Sequence, residues 1–135
     1  MRYVNQVRVR YNDTDRMSFV YHANYAMYFE VSRLEMLRAR GLTYKKMEEE
    51  GGVMLPVSDL HIKYIHPAFY DDVLDVEVTL LEKPSVRVRF GYRVTNQDGV
   101  LICTGEVVLA CVDVKTRRPT RAPEYFLKCF PEFDR

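Results

Sequence analysis

Residues 11–25 read YNDTDRMSFVYHANY and join a short strand-like segment to the longest helical pattern in the chain. Two acids, Asp13 and Asp15, follow the alternating residues 4–11, which predict a strand. From residue 25 to residue 39, apolar side chains recur at three- and four-residue steps, which predicts a helix. The start of a helix presents free backbone N–H groups and the positive end of the helix dipole. A carboxylate held near such a helix start supplies the groups that acyl transfer at a carbonyl requires.

The pattern after the long helix predicts strands almost throughout. Gly41 ends the helix in a left-handed conformation, and a short polar helix follows at residues 43–50. Alternating apolar residues then predict strands at residues 53–65, 73–81, 86–94 and 100–114. The long helix is apolar around nearly its whole circumference, which favours its enclosure by other elements. One strand, one enclosed helix and further strands indicate a single antiparallel α+β domain over residues 1–135.

Composition and charge exclude several classes of function. Hydrophobic residues make up 47% of the chain and charged residues 29%, which is typical of a globular domain. The formal net charge of +1 provides no global field that would attract nucleic acid or an anionic membrane. No apolar run approaches the ~20 residues of a membrane-spanning helix, and the N-terminus lacks the apolar block of a secretory signal. We therefore predict no nucleic-acid partner and no membrane span.

The cysteine and histidine positions argue against metal or redox chemistry. Cys103, Cys111 and Cys129 are scattered without a CxxC pair, which favours reduced thiols and a cytoplasmic location. The histidines have no metal-ligand spacing with these cysteines, and no glycine-rich phosphate loop follows a strand. The chain also lacks a Gly-x-Ser-x-Gly nucleophile motif. We expect neither a metal site nor a bound cofactor.

Three motifs around the long helix carry a family resemblance. They read Tyr-x-Asp-Thr-Asp from Tyr11, Val-Tyr-His-x-x-Tyr from Val20 and Phe-Glu-x-x-Arg-x-Glu from Phe29. With these motifs the chain resembles the 4-hydroxybenzoyl-CoA thioesterase family of hotdog-fold proteins, and within it the bacterial acyl-CoA thioesterases of the Tol-Pal cluster. The resemblance implies a hotdog fold, in which a curved antiparallel five-stranded sheet wraps around one long central helix.

The implied activity is hydrolysis of the thioester of an acyl-CoA to a carboxylic acid and free CoA. CoA enters as part of the substrate, so the resemblance implies no separate cofactor. It also implies a homo-oligomer, either a dimer or a tetramer built from dimers, with active sites at the subunit boundary. The alternative function is a non-catalytic hotdog protein that binds acyl-CoA or acyl carrier protein.

The resemblance assigns the catalytic roles to Asp15 and His22. Asp15 would attack the thioester carbonyl as a nucleophile or activate a water as a general base, and the sequence leaves both routes open. The backbone N–H of His22, at the expected helix start, would hold the oxyanion, and an additional acid–base role of its imidazole stays open. Without the resemblance, acids at the end of a strand indicate turn formers or helix caps, which is also the role expected of Asp13.

Substrate binding is assigned to Tyr25 and to a basic segment near residue 85. Tyr25 projects from the expected first turn of the helix. Lys83, Ser85 and Arg87 would lie near the pantetheine and phosphates of CoA, and they otherwise belong to a solvated strand face. The alternative basic cluster near the C-terminus consists of Arg117, Arg118 and Arg121.

Two details of the motifs lead to further expectations. Where the family has Gly in Asp-x-x-Gly-x-Val, this chain has Ser18, followed by Phe19, and these two residues favour the non-catalytic alternative. If that position requires a positive φ, serine costs about 1 kcal/mol or more relative to glycine. On the helix, Glu30 and Arg33 have the i,i+3 spacing of a stabilising ion pair.

Overall fold

The computed structural model describes residues 1–134 of the chain. No helix within those residues has the length and apolarity needed to cross a membrane. The helices are α1 (Asn24–Ala39), α2 (Tyr44–Glu49) and α3 (Glu124–Leu127). The strands are β1 (Arg2–Arg8), β2 (Val53–Met54), β3 (Val57–Tyr64), β4 (Val73–Leu80), β5 (Arg87–Thr95), β6 (Leu101–Ala110) and β7 (Val112–Asp113).

The main sheet has five antiparallel strands in the order β1-β4-β5-β6-β3 and packs against α1. Along β4 and β5, buried residues alternate with more exposed ones, so every second side chain is buried. Phe29 of α1 stacks on Tyr92 of β5 with ring centroids 4.1 Å apart. Gly105 of β6 leaves room for the Phe29 ring, because a Cβ at that position would overlap it. The predicted α+β arrangement of one long helix and a five-stranded antiparallel sheet is confirmed.

Two predicted strands are interrupted in the structure. The strand expected at residues 53–65 is divided into β2 and β3 at Pro56, which lacks a backbone N–H. The strand expected at residues 100–114 is divided into β6 and β7 at Cys111, and β7 pairs with β2 in a separate two-stranded ribbon. The first strand also ends earlier than residue 11, because residues Tyr11–Asp13 form a 3-10 turn. These divisions depend on pairing between distant segments.

The surroundings of α1 differ from two expectations. Glu30, Val31 and Arg38 are exposed, so a single chain does not enclose the helix on all sides.

The prediction that Glu30 and Arg33 form an ion pair is wrong. Arg33 is buried and donates to the hydroxyl oxygens of Tyr44, at 3.1 Å, and Tyr92, at 3.3 Å. A buried guanidinium requires acceptors inside the protein, and the tertiary contacts supply them.

The edge strand β3 leaves apolar side chains in contact with solvent. It pairs only with β6, so its other edge is open. Leu60 is 44% exposed and Tyr64 is 50% exposed, although both lie on the side of the sheet that faces α1. An open edge with apolar side chains is a surface at which a second chain can pair.

Candidate active site

The segment between the 3-10 turn and α1 forms a tight loop, which we call the acid loop (residues 14–20). Thr14 and Val20 form an isolated antiparallel bridge that closes it. Inside the bridge, the Asp15 N–H donates to the Phe19 carbonyl at 3.0 Å, and the Ser18 N–H donates to the Asp15 carbonyl at 3.0 Å. Ser18 has φ +70°, so this position adopts the left-handed conformation that favours glycine. The acid loop therefore holds Ser18 in a conformation that is strained for a residue with a Cβ.

Replacing Ser18 with glycine is expected to raise the free energy of unfolding by about 0.5–1 kcal/mol. The change removes a left-handed strain of about 1–2 kcal/mol, part of which is offset by the larger backbone entropy of glycine in the unfolded chain. Urea denaturation of the two proteins measures the difference. Ser58 does not have a positive φ, so Ser58→Gly is the matched control and should lower stability. Equal stability of Ser18→Gly and the unmodified protein would contradict the assignment of strain.

Asp15 is half-buried, and a hydrogen bond anchors one of its two carboxylate oxygens. Its Oδ1 accepts a hydrogen bond from the Met17 N–H at 2.8 Å, which fixes the orientation of the carboxylate. Its Oδ2 has no hydrogen-bond partner among the described residues. Asp15 does not itself line the adjacent pocket, but its backbone is hydrogen-bonded to Phe19, which does. The carboxylate thus has one anchored oxygen and one oxygen without a partner within residues 1–134, on a loop that contributes Phe19 and Val20 to the pocket lining.

His22 lies one residue before the N-cap of the helix. The expected helix start at His22 is wrong, because Ala23 is the N-cap and Asn24 is the first helical residue. We call residues 21–24 the oxyanion turn. Within residues 1–134, the backbone N–H of His22 has no acceptor, while its carbonyl accepts the Tyr64 hydroxyl at 3.1 Å. The hydrogen bond from Tyr64 to the His22 carbonyl fixes this turn. A free N–H in a fixed turn is suited to bind an anionic oxygen.

A pocket of about 390 Å³ lies between the acid loop, the oxyanion turn and the end of β3. Tyr25 is buried, and its ring lies 5.7 Å from that of Tyr64. Burial raises the pKa of Tyr25, so its hydroxyl stays protonated at neutral pH. The side chains around the pocket are mostly apolar and aromatic: Phe19, Val20, His22, Tyr25, Tyr64, Ile65, His66 and Pro67. Such a lining suits an acyl group, with a few polar groups at its edge.

The basic residues expected to bind CoA are brought together only in part. Lys83, Ser85 and Arg121 line a second cavity of about 400 Å³, whereas Arg87 is exposed outside its lining. The Ser85 carbonyl accepts the Ala122 N–H at 2.6 Å, which holds the two segments together. Lys83 and Ser85 of the first predicted set and Arg121 of the second therefore contribute to a single cavity.

The two cavities lie at opposite ends of the main sheet. Tyr64, at the first pocket, pairs with Cys103, whereas Val57, at the other end of β3, pairs with Leu109. Arg87, next to the basic cavity, pairs with Ala110 at that same far end. Seven residues of β3 separate the ends, or roughly 23 Å at the rise of a strand. Within one chain, Asp15 and Lys83 therefore do not form one compact site.

No group of three or more acidic, histidine or cysteine side chains among residues 1–134 is placed to hold a metal ion. The three cysteines are free thiols. Burial raises the pKa of the Cys103 thiol to about 12 and that of Cys111 to about 11. Both thiols are therefore neutral at physiological pH and poor nucleophiles.

Several residues of the first pocket were not predicted. Tyr64, His66 and Pro67 reach it because β3 pairs with β6 and ends next to α1. More than 40 residues separate them from Asp15, and no local periodicity signals such an encounter. The one usable signal was His66-Pro67, which marks the end of a strand.

The comparisons with known proteins agree with this architecture. A five-stranded antiparallel sheet packed on one long helix is the architecture of the hotdog class. A family model described as the Thioesterase-like superfamily matches residues 9–130, which include the acid loop, the oxyanion turn and both cavities. The chain belongs to this superfamily. The predicted family and the hotdog fold are thereby confirmed.

Individual relatives are similar over most of their length. The acyl-CoA thioester hydrolase YbgC of Escherichia coli is 31% identical over 126 residues, which cover 93% of each protein. The acyl-CoA thioesterase YbgC of Haemophilus influenzae is 35% identical over 118 residues, covering 87% of this chain and 86% of that protein. The solved structure of a DHNA-CoA thioesterase from Staphylococcus aureus has a TM-score of 0.90 at 31% identity, covering 98% of this chain and 91% of that one.

Proposed function

We propose that this protein is an acyl-CoA thioesterase, which hydrolyses the thioester to a carboxylic acid and free CoA. The observation that carries the proposal is the position of an apolar pocket between the acid loop and the oxyanion turn. In this proposal the thioester carbonyl binds where the acid loop, which carries Asp15 and contributes Phe19 to the lining, meets His22, whose N–H has no acceptor within residues 1–134. The relatives' activities support the same reaction.

In this mechanism Asp15 supplies or activates the nucleophile. As a general base, it takes a proton from a water whose oxygen bonds to the carbonyl carbon. As a nucleophile, its own oxygen forms that bond, and water later hydrolyses the resulting anhydride. In both routes the carbonyl oxygen becomes negative and is held by the His22 N–H, a donor worth roughly 2.7–4 kcal/mol in the transition state. The C–S bond then breaks, and the CoA sulfur gains a proton.

A thiol-release assay over short, long and aromatic acyl-CoAs tests the activity directly. We expect CoA thiol to appear with at least one of these classes. Binding of acyl-CoA without thiol release from any of them would instead support the non-catalytic binding protein. The aromatic lining by Tyr25 and Tyr64 makes aromatic acyl groups a necessary part of the panel.

We further propose that the phosphates of CoA are held by a second copy of the chain. A two-fold axis at the open edge of β3 would pair this strand with its copy in antiparallel orientation. The end of β3 at the acyl pocket would then lie beside the opposite end of the partner's strand. Lys83, Ser85 and Arg121 of one chain would thereby face the pocket of the other, which the exposed apolar side chains of β3 support. A tetramer would add a second such dimer.

Subunit complementation tests the shared site. Asp15→Asn and the double variant Lys83→Glu/Arg121→Glu are each expected to be nearly inactive at low acyl-CoA concentration. After the two proteins are unfolded and refolded together, half of the dimers contain one chain of each variant. In such a mixed dimer, one of the two sites combines an intact Asp15 with an intact basic cavity. About one quarter of the unmodified activity should therefore return. Thiol release before and after mixing measures the recovery.

The control is a mixture of the same proteins combined without unfolding. If the acid and the basic cavity acted within one chain, every site of a mixed dimer would carry a defect. No recovery from dimers of confirmed mixed composition would therefore contradict a shared site. Sedimentation of the unmodified protein distinguishes a dimer from a tetramer.

The cytoplasmic location and the absence of a cofactor stay predictions. The free thiols support a reducing compartment. Metal analysis of the purified protein, together with activity after dialysis against a chelator, tests the second prediction.

A further inference from the structure

Asp13 is a buried carboxylate that does not line the acyl pocket. The residue is 3% exposed and lies between the end of β1 and the second turn of α1. Oδ2 accepts both the Arg10 N–H and the Tyr28 hydroxyl at 2.9 Å, and Oδ1 accepts the Arg10 guanidinium at 3.3 Å. Charge-assisted hydrogen bonds of this kind hold their partners in a fixed geometry.

The backbone carbonyl of Asp13 holds the oxyanion turn. It accepts the Tyr21 N–H at 2.9 Å and the Asn24 side-chain amide at 2.8 Å. The two donor residues lie on either side of His22 in the sequence. Asp13 therefore binds the residues on both sides of the free N–H, while it stands two residues before Asp15 in the chain.

We propose that Asp13 is a positioning residue that sets the distance between the Asp15 carboxylate and the His22 N–H. This inference rests on the proposed thioesterase function. The Asp13 side chain is fixed to α1 through Tyr28, and its carbonyl is fixed to the oxyanion turn, so Asp13 ties both the helix and that turn to the segment that leads into Asp15. A displacement of about 1 Å in a reacting geometry can reduce a rate about a hundredfold.

The ionisation of Asp13 is consistent with this role. Burial alone would raise its pKa, but the hydrogen bonds from the Arg10 N–H, the Tyr28 hydroxyl and the Arg10 guanidinium outweigh burial and keep the pKa below its usual range. Burial and the neighbouring carboxylate of Asp13 raise the pKa of Tyr28. At neutral pH the carboxylate thus remains an acceptor and the phenol remains a donor.

Tyr28→Phe tests the proposal because it removes the hydroxyl and keeps the ring. We expect kcat to fall about tenfold or more while KM changes less than about twofold. Tyr92→Phe is the matched control, since it also removes a buried phenol that is hydrogen-bonded to a charged group, the Arg33 guanidinium. Both variants should lower Tm by a few degrees. Only Tyr28→Phe should lower kcat.

A second readout separates this inference from the proposed activity. Hydrogen exchange at the Tyr21 amide, whose acceptor is the Asp13 carbonyl, should accelerate in Tyr28→Phe and stay unchanged in Tyr92→Phe. Equal kcat losses in both variants, or unchanged kcat and exchange in Tyr28→Phe, would overturn the positioning role. An unmodified protein that releases no thiol would refute the thioesterase proposal, and the exchange result would still decide whether Asp13 fixes the turn.

Discussion

Asp15→Asn is expected to reduce thioester turnover at least about a hundredfold, with little change in CoA affinity. The amide oxygen of asparagine can still accept the Met17 N–H, so the acid loop should keep its conformation. The lost property is the negative charge, which both the nucleophilic and the general-base route require. Steady-state thiol release gives kcat, and calorimetric titration with CoA gives the affinity.

Asp113→Asn is the matched control for this experiment. The Oδ1 of Asp113 accepts the Lys115 N–H at 2.8 Å, two residues ahead, as Asp15 does with Met17. It lies at β7, outside the lining of the acyl pocket. Its substitution should leave turnover unchanged. Equal activity of Asp15→Asn and the unmodified protein would remove Asp15 from the chemistry.

The largest stability effect is expected for Phe29→Ala, at about 3–5 kcal/mol of unfolding free energy. The Phe29 ring has no exposed surface, stacks on Tyr92 and fills the space left by Gly105. Its removal leaves a cavity between α1 and the sheet that the surrounding strands cannot easily close. A loss of this size is a large part of the about 5–15 kcal/mol that stabilises a domain.

Urea denaturation followed by circular dichroism measures this loss. Val31→Ala is the control, because it lies two residues further along α1 and is 42% exposed. A change at such a surface position should cost about 0.5 kcal/mol or less. A similarly small cost for Phe29→Ala would mean that the ring does not hold the helix on the sheet.

Local patterns predicted most of the fold because each central strand has one buried face. In β4 and β5 the buried residues alternate as expected, and Gly41 ends the long helix with φ +87°. The strand breaks at Pro56 and Cys111 were not predicted, since they depend on the pairing of β2 with β7. Arg33 was assigned the wrong partner because the i,i+3 rule applies to exposed side chains, whereas Arg33 is buried.

The sequence predicted the part of the site that is continuous along the chain. Asp15, Ser18 and His22 lie within eight residues, and it was the family resemblance of this continuous motif that singled them out and raised the question of a positive φ at Ser18. The resemblance placed the helix start at His22, two residues before Asn24, whereas the apolar periodicity began at residue 25, one residue after it. Tyr64 and Arg121 could not be placed from local pattern, since they meet the site elements only after the sheet has formed.

The three sulfhydryl groups have a practical bearing on how this protein can be assayed. Cys103 and Cys111 are buried and uncharged, and Cys129 is half-buried with the carbonyl oxygens of Arg40 and Tyr125 each 3.4 Å from its sulfur. Disulfide dyes react with thiolates, so they are consumed only slowly by the native protein. A colour change in such an assay therefore follows the liberated coenzyme and not the catalyst, and a sudden rise on heating would signal that the fold has opened.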